Sequence, residues 1–145
     1  MARVLHLFRA PKKRLPMEEL PDVPVITNAG FQGCAHARPR GKRQILLVDW
    51  ETLEAMNLQP GIIRENITTE GLNVNGLKTG EQLQVGEVRL EVSAVCTPCD
   101  QLEKVRLGLR KEIWGRRGML CRVISGQILR RGDAIERVSS AASPR

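Results

Sequence analysis

LQVGEVRLEVSAVCTPC, residues 83–99, is the stretch whose reading decides the fold. Leu83 and Val85 precede Gly86, and Val88, Leu90, Val92 and Ala94 then alternate with Arg89, Glu91 and Ser93. Apolar side chains at every second position lie on one face of a strand, so the pattern predicts a hairpin turning at Gly86 with a half-buried second strand. Downstream, residues 119–124, a Ser125-Gly126 turn, residues 127–129, a Gly132-Asp133 turn and residues 134–138 repeat that logic and predict further hairpins. Upstream, Val4, Leu5, Leu7 and Phe8 mark a first strand over 2–8, and Pro11, Pro16, Pro21 and Pro24 predict an extended connection after it. QILLV at 44–48 is a continuous apolar run, which suits a fully buried strand. Asp49 is placed to cap a short helix over 50–57, which Pro60-Gly61 ends. Residues 62–69 are by turns β-branched and polar, and Gly71, Gly76, Gly80 and Gly86 mark short turns. Short strands between glycine turns predict a mainly β fold, a β-barrel of short antiparallel strands and hairpins with a few peripheral helices.

The chain of 145 residues is the length of one domain, expected over 1–138 with a flexible tail at 139–145. At 41% hydrophobic and 27% charged residues it is a folded chain and not a disordered one. Four cysteines are too few for a secreted disulfide scaffold, so reduced, cytoplasmic thiols are expected. No segment approaches the ~20 apolar residues of a membrane span, and the N-terminal apolar run, broken by His6 and Arg9, is not a signal peptide. A soluble protein with no membrane partner follows. The net charge of +7 makes a polyanion the first partner to weigh. Arg38, Arg40, Lys42 and Arg43 form one basic cluster, and a second runs from Lys104 to Arg122 with Glu112 as its only acid. With no Tyr, two Phe and two Trp, stacking platforms for bases are nearly absent, which disfavours nucleic acid. Phosphate-only binding, a solvated basic face or a small anionic ligand all fit the same residues.

The densest chemical signal is Cys96-Thr97-Pro98-Cys99. Leu102, Val105, Leu109 and Ile113 follow at helical steps, which predicts a helix starting just before Cys99 with Thr97 as N-cap and Pro98 as its first residue. Cys99 would then sit in the first turn, where free N–H groups favour a thiolate, a nucleophile and soft-metal ligand. A thioredoxin-like redox pair would need a βαβ context, which the hairpins do not offer. A zinc site from Cys34, His36, Cys96 and Cys99 has an unusual spacing. Cys96 and Cys121 also read as small buried residues.

Residues 64–72 (RENITTEGL), 83–99, 115–133 (GRRGMLCRVISGQILRRGD) and 30–53 (GFQGCAHARPRGKRQILLVDWETL) together resemble the MOSC domain, the C-terminal domain of molybdenum cofactor sulfurases. The resemblance is clearest over 30–138 and implies a β-barrel with a molybdenum cofactor site centred on Cys99. In relatives that cysteine ligates molybdenum and N-hydroxylated compounds are reduced; in sulfurases it is proposed to carry a persulfide. The resemblance implies Cys99 as the catalytic and metal-binding residue, with Arg64, Asn66, Thr68, Arg116, Arg117, His36 and Arg38 around the pterin cofactor. Arginine forks and amide donors suit a phosphate and a polar pterin. Pyridoxal phosphate binding, a property of the family at large, belongs more naturally to a separate sulfurase domain, and no lysine motif here suggests a Schiff base. Two positions depart from the pattern: Gly33-Cys34 stands where relatives often have Gly-Asp, and Cys96 is not a family position. With no iron–sulfur motif, a reductase would take electrons from a partner protein. The competing readings are a sulfur carrier that receives its sulfur from a donor protein and holds it as a Cys99 persulfide, and a basic β-barrel that binds nucleic acid.

Overall fold

Residues 2–13, 16–35, 37 and 39–138 are described by the structure, a computed structural model; the tail expected at 139–145 lies outside them. In chain order the elements are β1 (Arg3–Arg9), β2 (Glu18–Leu20), β3 (Asp22–Ile26), β4 (Gly30–Phe31), β5 (Ile45–Asp49), α1 (Trp50–Ala55), β6 (Ile67–Glu70), β7 (Gln82–Val85), β8 (Val88–Val95), α2 (Leu109–Glu112), β9 (Met119–Ser125), β10 (Ile128–Arg130) and β11 (Ile135–Val138). The fold is mainly β, as expected. The hairpin at Gly86 forms, with Leu83 opposite Leu90 and Val85 opposite Val88, all four buried. One face of the alternating pattern thus lies in the core.

The large sheet runs β11-β7-β8-β9-β5-β6-β1-β2. It curls until the start of β1 meets the start of β11: Arg3 bridges Ala134, the Val4 N–H donates to Asp133 O (2.9 Å), and the Ile135 N–H donates to Ala2 O (2.9 Å). That seam rolls the sheet into a barrel. Inside it lies one apolar core, built on Leu7, Ile45, Leu47, Leu83, Leu90 and Val123.

β5 explains why QILLV carries no polar break. Ile45 and Leu47 point into the barrel, whereas Leu46 and Val48 join a second core with Leu53, Ile63, Leu102, Leu109 and Ile113. Burying such a side chain contributes roughly 1.5–3 kcal/mol, so a strand covered on both faces draws a helical layer onto the outside of the barrel. β5 pairs with β6 in parallel, which corrects the expectation of antiparallel strands throughout. A parallel neighbour cannot be reached by a tight turn. Residues 50–66 make the crossover, beginning with α1, where Asp49 Oδ2 accepts from the Thr52 N–H (3.1 Å) and hydroxyl (2.8 Å). The helix expected over 50–57 closes at Ala55.

Two further expectations are corrected. The turns near Gly126 and Gly132 exist, but they do not join hairpin partners: β10 leaves for a small sheet ordered β10-β3-β4, and β11 pairs with β7. Turn chemistry reverses the chain, while the partner is chosen by where Leu129 and Ile135 find cover. The proline-punctuated stretch also holds strands, since Pro24 within β3 supplies its carbonyl to the Gln32 N–H (2.9 Å).

Asn66 stitches the crossover to the barrel. Fully buried, its Oδ1 accepts from the Leu46 N–H (2.9 Å) and its Nδ2 donates to Phe8 O (3.2 Å). Asn66→Ala leaves that N–H and that carbonyl without partners in the interior, so chemical denaturation is expected to show a loss of roughly 2–4 kcal/mol.

Candidate functional site

Three loops converge outside the barrel. The crossover ends at residues 61–66, the chain leaves β8 through residues 96–99, and residues 113–118 lead into β9. Backbone and side-chain bonds tie them together: the Cys96 N–H donates to Gly118 O (3.0 Å), and Arg117 Nη2 donates to Ile63 O (2.9 Å). Gly118 lets the third loop pass close over β5, because its φ is +115° and a Cβ there would strike the Leu47 carbonyl.

Between these loops lies a cleft of two lobes, of about 840 and 730 Å³. Both are lined by Lys13, Arg64, Cys99, Gln101 and Arg117. Lys104 adds a cation to the first lobe, and Lys42 and Arg43 add two to the second. Among the described lining residues there is no Asp or Glu. A wall of cations whose described lining holds no carboxylate favours an anionic occupant.

Cys99 is the exposed cysteine; Cys34, Cys96 and Cys121 are buried. Its setting differs from expectation. The helix does not begin before Cys99: the residue is itself extended (φ −128°, ψ 173°) and precedes a single turn of 3₁₀ helix, Asp100–Lys104. Gly108, at φ +87°, then breaks the run before α2, and Glu103 caps α2 by accepting from the N–H groups of Gly108 (2.9 Å) and Arg110 (3.0 Å). These bonds hold the Glu103 carboxyl below its ordinary range. The helical spacing of Leu102, Leu109 and Ile113 survives the break because all three are buried in the second core.

Arg64 sits at φ +67°, a left-handed conformation that costs an L-residue energy and is concentrated at functional sites. Arg117 is buried, with one nitrogen on Ile63 O and its Nε and Nη1 without hydrogen-bond partners. A buried donor left unmatched costs ~1–3 kcal/mol. Next to it Glu65 is fully buried, its Oε2 accepting from the Gly61 N–H (2.8 Å) and the Thr68 hydroxyl (2.9 Å). Burial pushes the Glu65 carboxyl above its ordinary range, against those hydrogen bonds and the Arg117 charge.

The other expected residues fall as follows. Asn66 lines the second lobe, with its amide engaged by Leu46 and Phe8. Thr68 is buried beneath Glu65 and lines neither lobe; Arg116 is exposed and lines neither. His36 and Arg38 lie outside the described residues. Cys34 sits behind Asn66, its sulfur accepting from the Ala10 N–H (3.3 Å) and from Asn66 Nδ2 (3.5 Å). Among the described residues no three His, Cys, Asp or Glu side chains converge to hold a metal, and no helix is long and apolar enough to cross a membrane. Burial, with the nearby Glu91 charge, pushes the Cys121 thiol far up. Lys13 and Gln101 were not expected at the site; nothing in their local sequence separates them from ordinary surface residues. Of the basic clusters, Lys42, Arg43, Lys104 and Arg117 reach the cleft, whereas Arg106 pairs with Glu112 (3.2 Å) and Arg110 with Asp100 (2.6 Å).

A family model of the MOSC domain matches residues 42–136. No match was found among curated proteins. Among solved structures, the YuaD protein from Bacillus subtilis superposes with a TM-score of 0.79 at 20% identity, over 93% of this chain and 94% of that one. YiiM from Geobacillus stearothermophilus gives 0.79 at 18% identity, over 99% and 78%. YiiM from Escherichia coli gives 0.72 at 19%, over 94% and 70%. At these identities the likeness is one of fold.

Two outcomes follow from the site. Thiol labelling of the native protein followed by mass analysis is expected to modify Cys99 first, with Cys34, Cys96 and Cys121 reacting after unfolding. Glu65 resists ionisation when folded, so above the ordinary carboxylate value of 4.5 the unfolded state releases its proton first, and stability falls with pH until the raised folded value is passed. Glu65→Gln keeps an acceptor for Gly61 and removes that titration; urea midpoints measured across this window are expected to show a flatter pH dependence than wild type.

Proposed function

The chain belongs to the MOSC domain family, and from that membership we propose that it binds the molybdenum cofactor through Cys99 and reduces N-hydroxylated compounds with electrons from a partner protein. The observation that carries this reading is the position of Cys99. It is the exposed thiol, it stands where the two lobes meet, and Arg64 and Arg117 line the same junction.

The residues fit the group. Molybdenum takes soft sulfur ligands, and a cysteine open to the cleft offers one. The cofactor carries a phosphate and a polar pterin, and Arg117 presents two buried N–H donors with no partner among the described residues. Lys42, Arg43 and Arg64 add positive charge along the second lobe. His36 and Arg38 join this set by their place in the family motifs; Arg116, outside both lobes, would meet the group only at its rim, and Thr68 acts through the Glu65 carboxyl it donates to. When bound, the group would supply two-electron redox chemistry. The net change in the substrate breaks the N–O bond, takes up two electrons and two protons, forms N–H and releases water. The protein's own residues hold the cofactor by charge, keep Glu65 out of solvent behind Arg117, and leave the first lobe open beside Cys99. A reducing cytoplasm would keep the thiol available.

A second reading, a carrier holding a persulfide on Cys99, draws on one observation: Cys96 lines the second lobe together with Cys99.

The test is the molybdenum and pterin content of protein purified anaerobically from a cofactor-producing host, beside Cys99→Ser. Near-stoichiometric metal and pterin in the wild type, lost in the variant, is the expected result. Absence from both overturns the cofactor reading, and a Cys99 persulfide found by mass analysis would then favour the carrier. Salt-dependent binding to nucleic acid that ignores Cys99→Ser would favour the polyanion alternative.

A further inference from the structure

Beyond the residues they share, the two lobes differ in their charges: the second adds Lys42 and Arg43 beside Ala35, Leu46 and Leu120, and the first adds Lys104. The first is walled by Phe8, Met17, Ile62, Ile63, Leu102 and Val105. At about 840 Å³ it has the size of small-molecule sites, which run to roughly 300–1,000 Å³ and combine apolar walls with a few polar groups. Ile62 is 45% exposed at this site, an apolar surface left open to water. Phe8 and Met17 offer the ring and sulfur contacts that aromatic bodies favour. Lys13 and Lys104 are exposed and form no ion pair among the described residues, and no carboxylate is among the described residues lining the lobe.

We propose that the first lobe binds a small aromatic carboxylate, its ring against Ile62 and its acid group on Lys13 and Lys104, so that these residues set the substrate class. The proposal rests on assigning the second lobe to the cofactor. It names the N-hydroxylated substrate as one with an aromatic body and an acidic substituent. The lysines supply the charge that a carboxylate meets on entry, and the apolar wall supplies the area that its ring covers.

The experiment needs no cofactor: calorimetric titration of the full chain, purified from a cofactor-free host, with 2-naphthoate and with neutral 2-naphthamide. Naphthoate is expected to bind about tenfold tighter than the amide. Lys104→Gln combined with Lys13→Gln should bring the two ligands together, and Ile62→Asp should weaken both by about tenfold. Arg131→Gln, a charge removed from an exposed turn that lines neither lobe, should leave both affinities as they were. Equal affinity for acid and amide overturns the proposal, as does absence of binding. So does a loss on Lys42→Gln with the double lysine variant silent. If protein from the cofactor-producing host holds no molybdenum while the cofactor-free chain prefers naphthoate, the cofactor reading fails and the aromatic-carboxylate site stands without its substrate assignment; molybdenum in the former with no preference in the latter keeps the cofactor reading and overturns this site.

Discussion

A strand with apolar side chains on both faces has to be covered twice. Ile45 and Leu47 are covered by the barrel interior, and Leu46 and Val48 by the layer that contains α1, α2 and the 3₁₀ turn after Cys99. Both halves of the molecule follow from that requirement. The outer layer packs Ile63, Leu102 and Ile113 in one core with Leu46 and Val48 of β5; Ile63 and Leu102 adjoin Arg64 and Gln101 in sequence, and Ile113 stands four residues before Arg117. The cleft is therefore the open side of the second core. Its cations are held at the edge of an apolar layer whose packing cannot shift without uncovering β5.

Charge at the site is arranged in two depths. At the surface the cleft presents Lys13, Lys42, Arg43 and Lys104. Behind them Glu65 and Arg117 share a buried setting in which each retains polar atoms without hydrogen-bond partners. Arg117 is bound to the Ile63 carbonyl through one nitrogen, and Glu65 to Gly61 and Thr68 through one oxygen. The unsatisfied remainder is unfavourable in the protein alone. An anion arriving at Arg117 would supply acceptors that the fold does not.

Much of this was readable from the sequence where the determinant is local. The alternation at 88–94, the Asp49 cap and the unbroken apolar run at 44–48 each name their own structure. Partner choice is not local. Ser125-Gly126 and Gly132-Asp133 are good turn dipeptides, yet the strands after them travel to β3 and β7 because the cover for Leu129 and Ile135 lies there. The prolines hid β3 because a strand can spare an N–H where only the carbonyl of Pro24 is used. At the site, the motif residues Cys99, Arg64 and Arg117 do meet at one junction. The helix expected to start just before Cys99 and run on through Ile113 does not form as one piece, because periodicity reports which residues are buried and not whether the backbone stays regular between them; Gly108 interrupts it without disturbing the apolar face. Lys13 and Gln101 carried no signal, since their role comes from loops meeting in space.

The seam between Ala2–Val4 and Asp133–Ile135 has a consequence for how the protein comes into being. On the ribosome, β1 emerges long before the residues that complete the barrel, so its edge near Val4 waits until residues 133–135 follow. Contacts this distant in sequence make folding slow and leave an unpaired strand edge open to other chains. In the cell this favours folding that completes only once residues 133–135 have emerged, with chaperones shielding that edge in the interval.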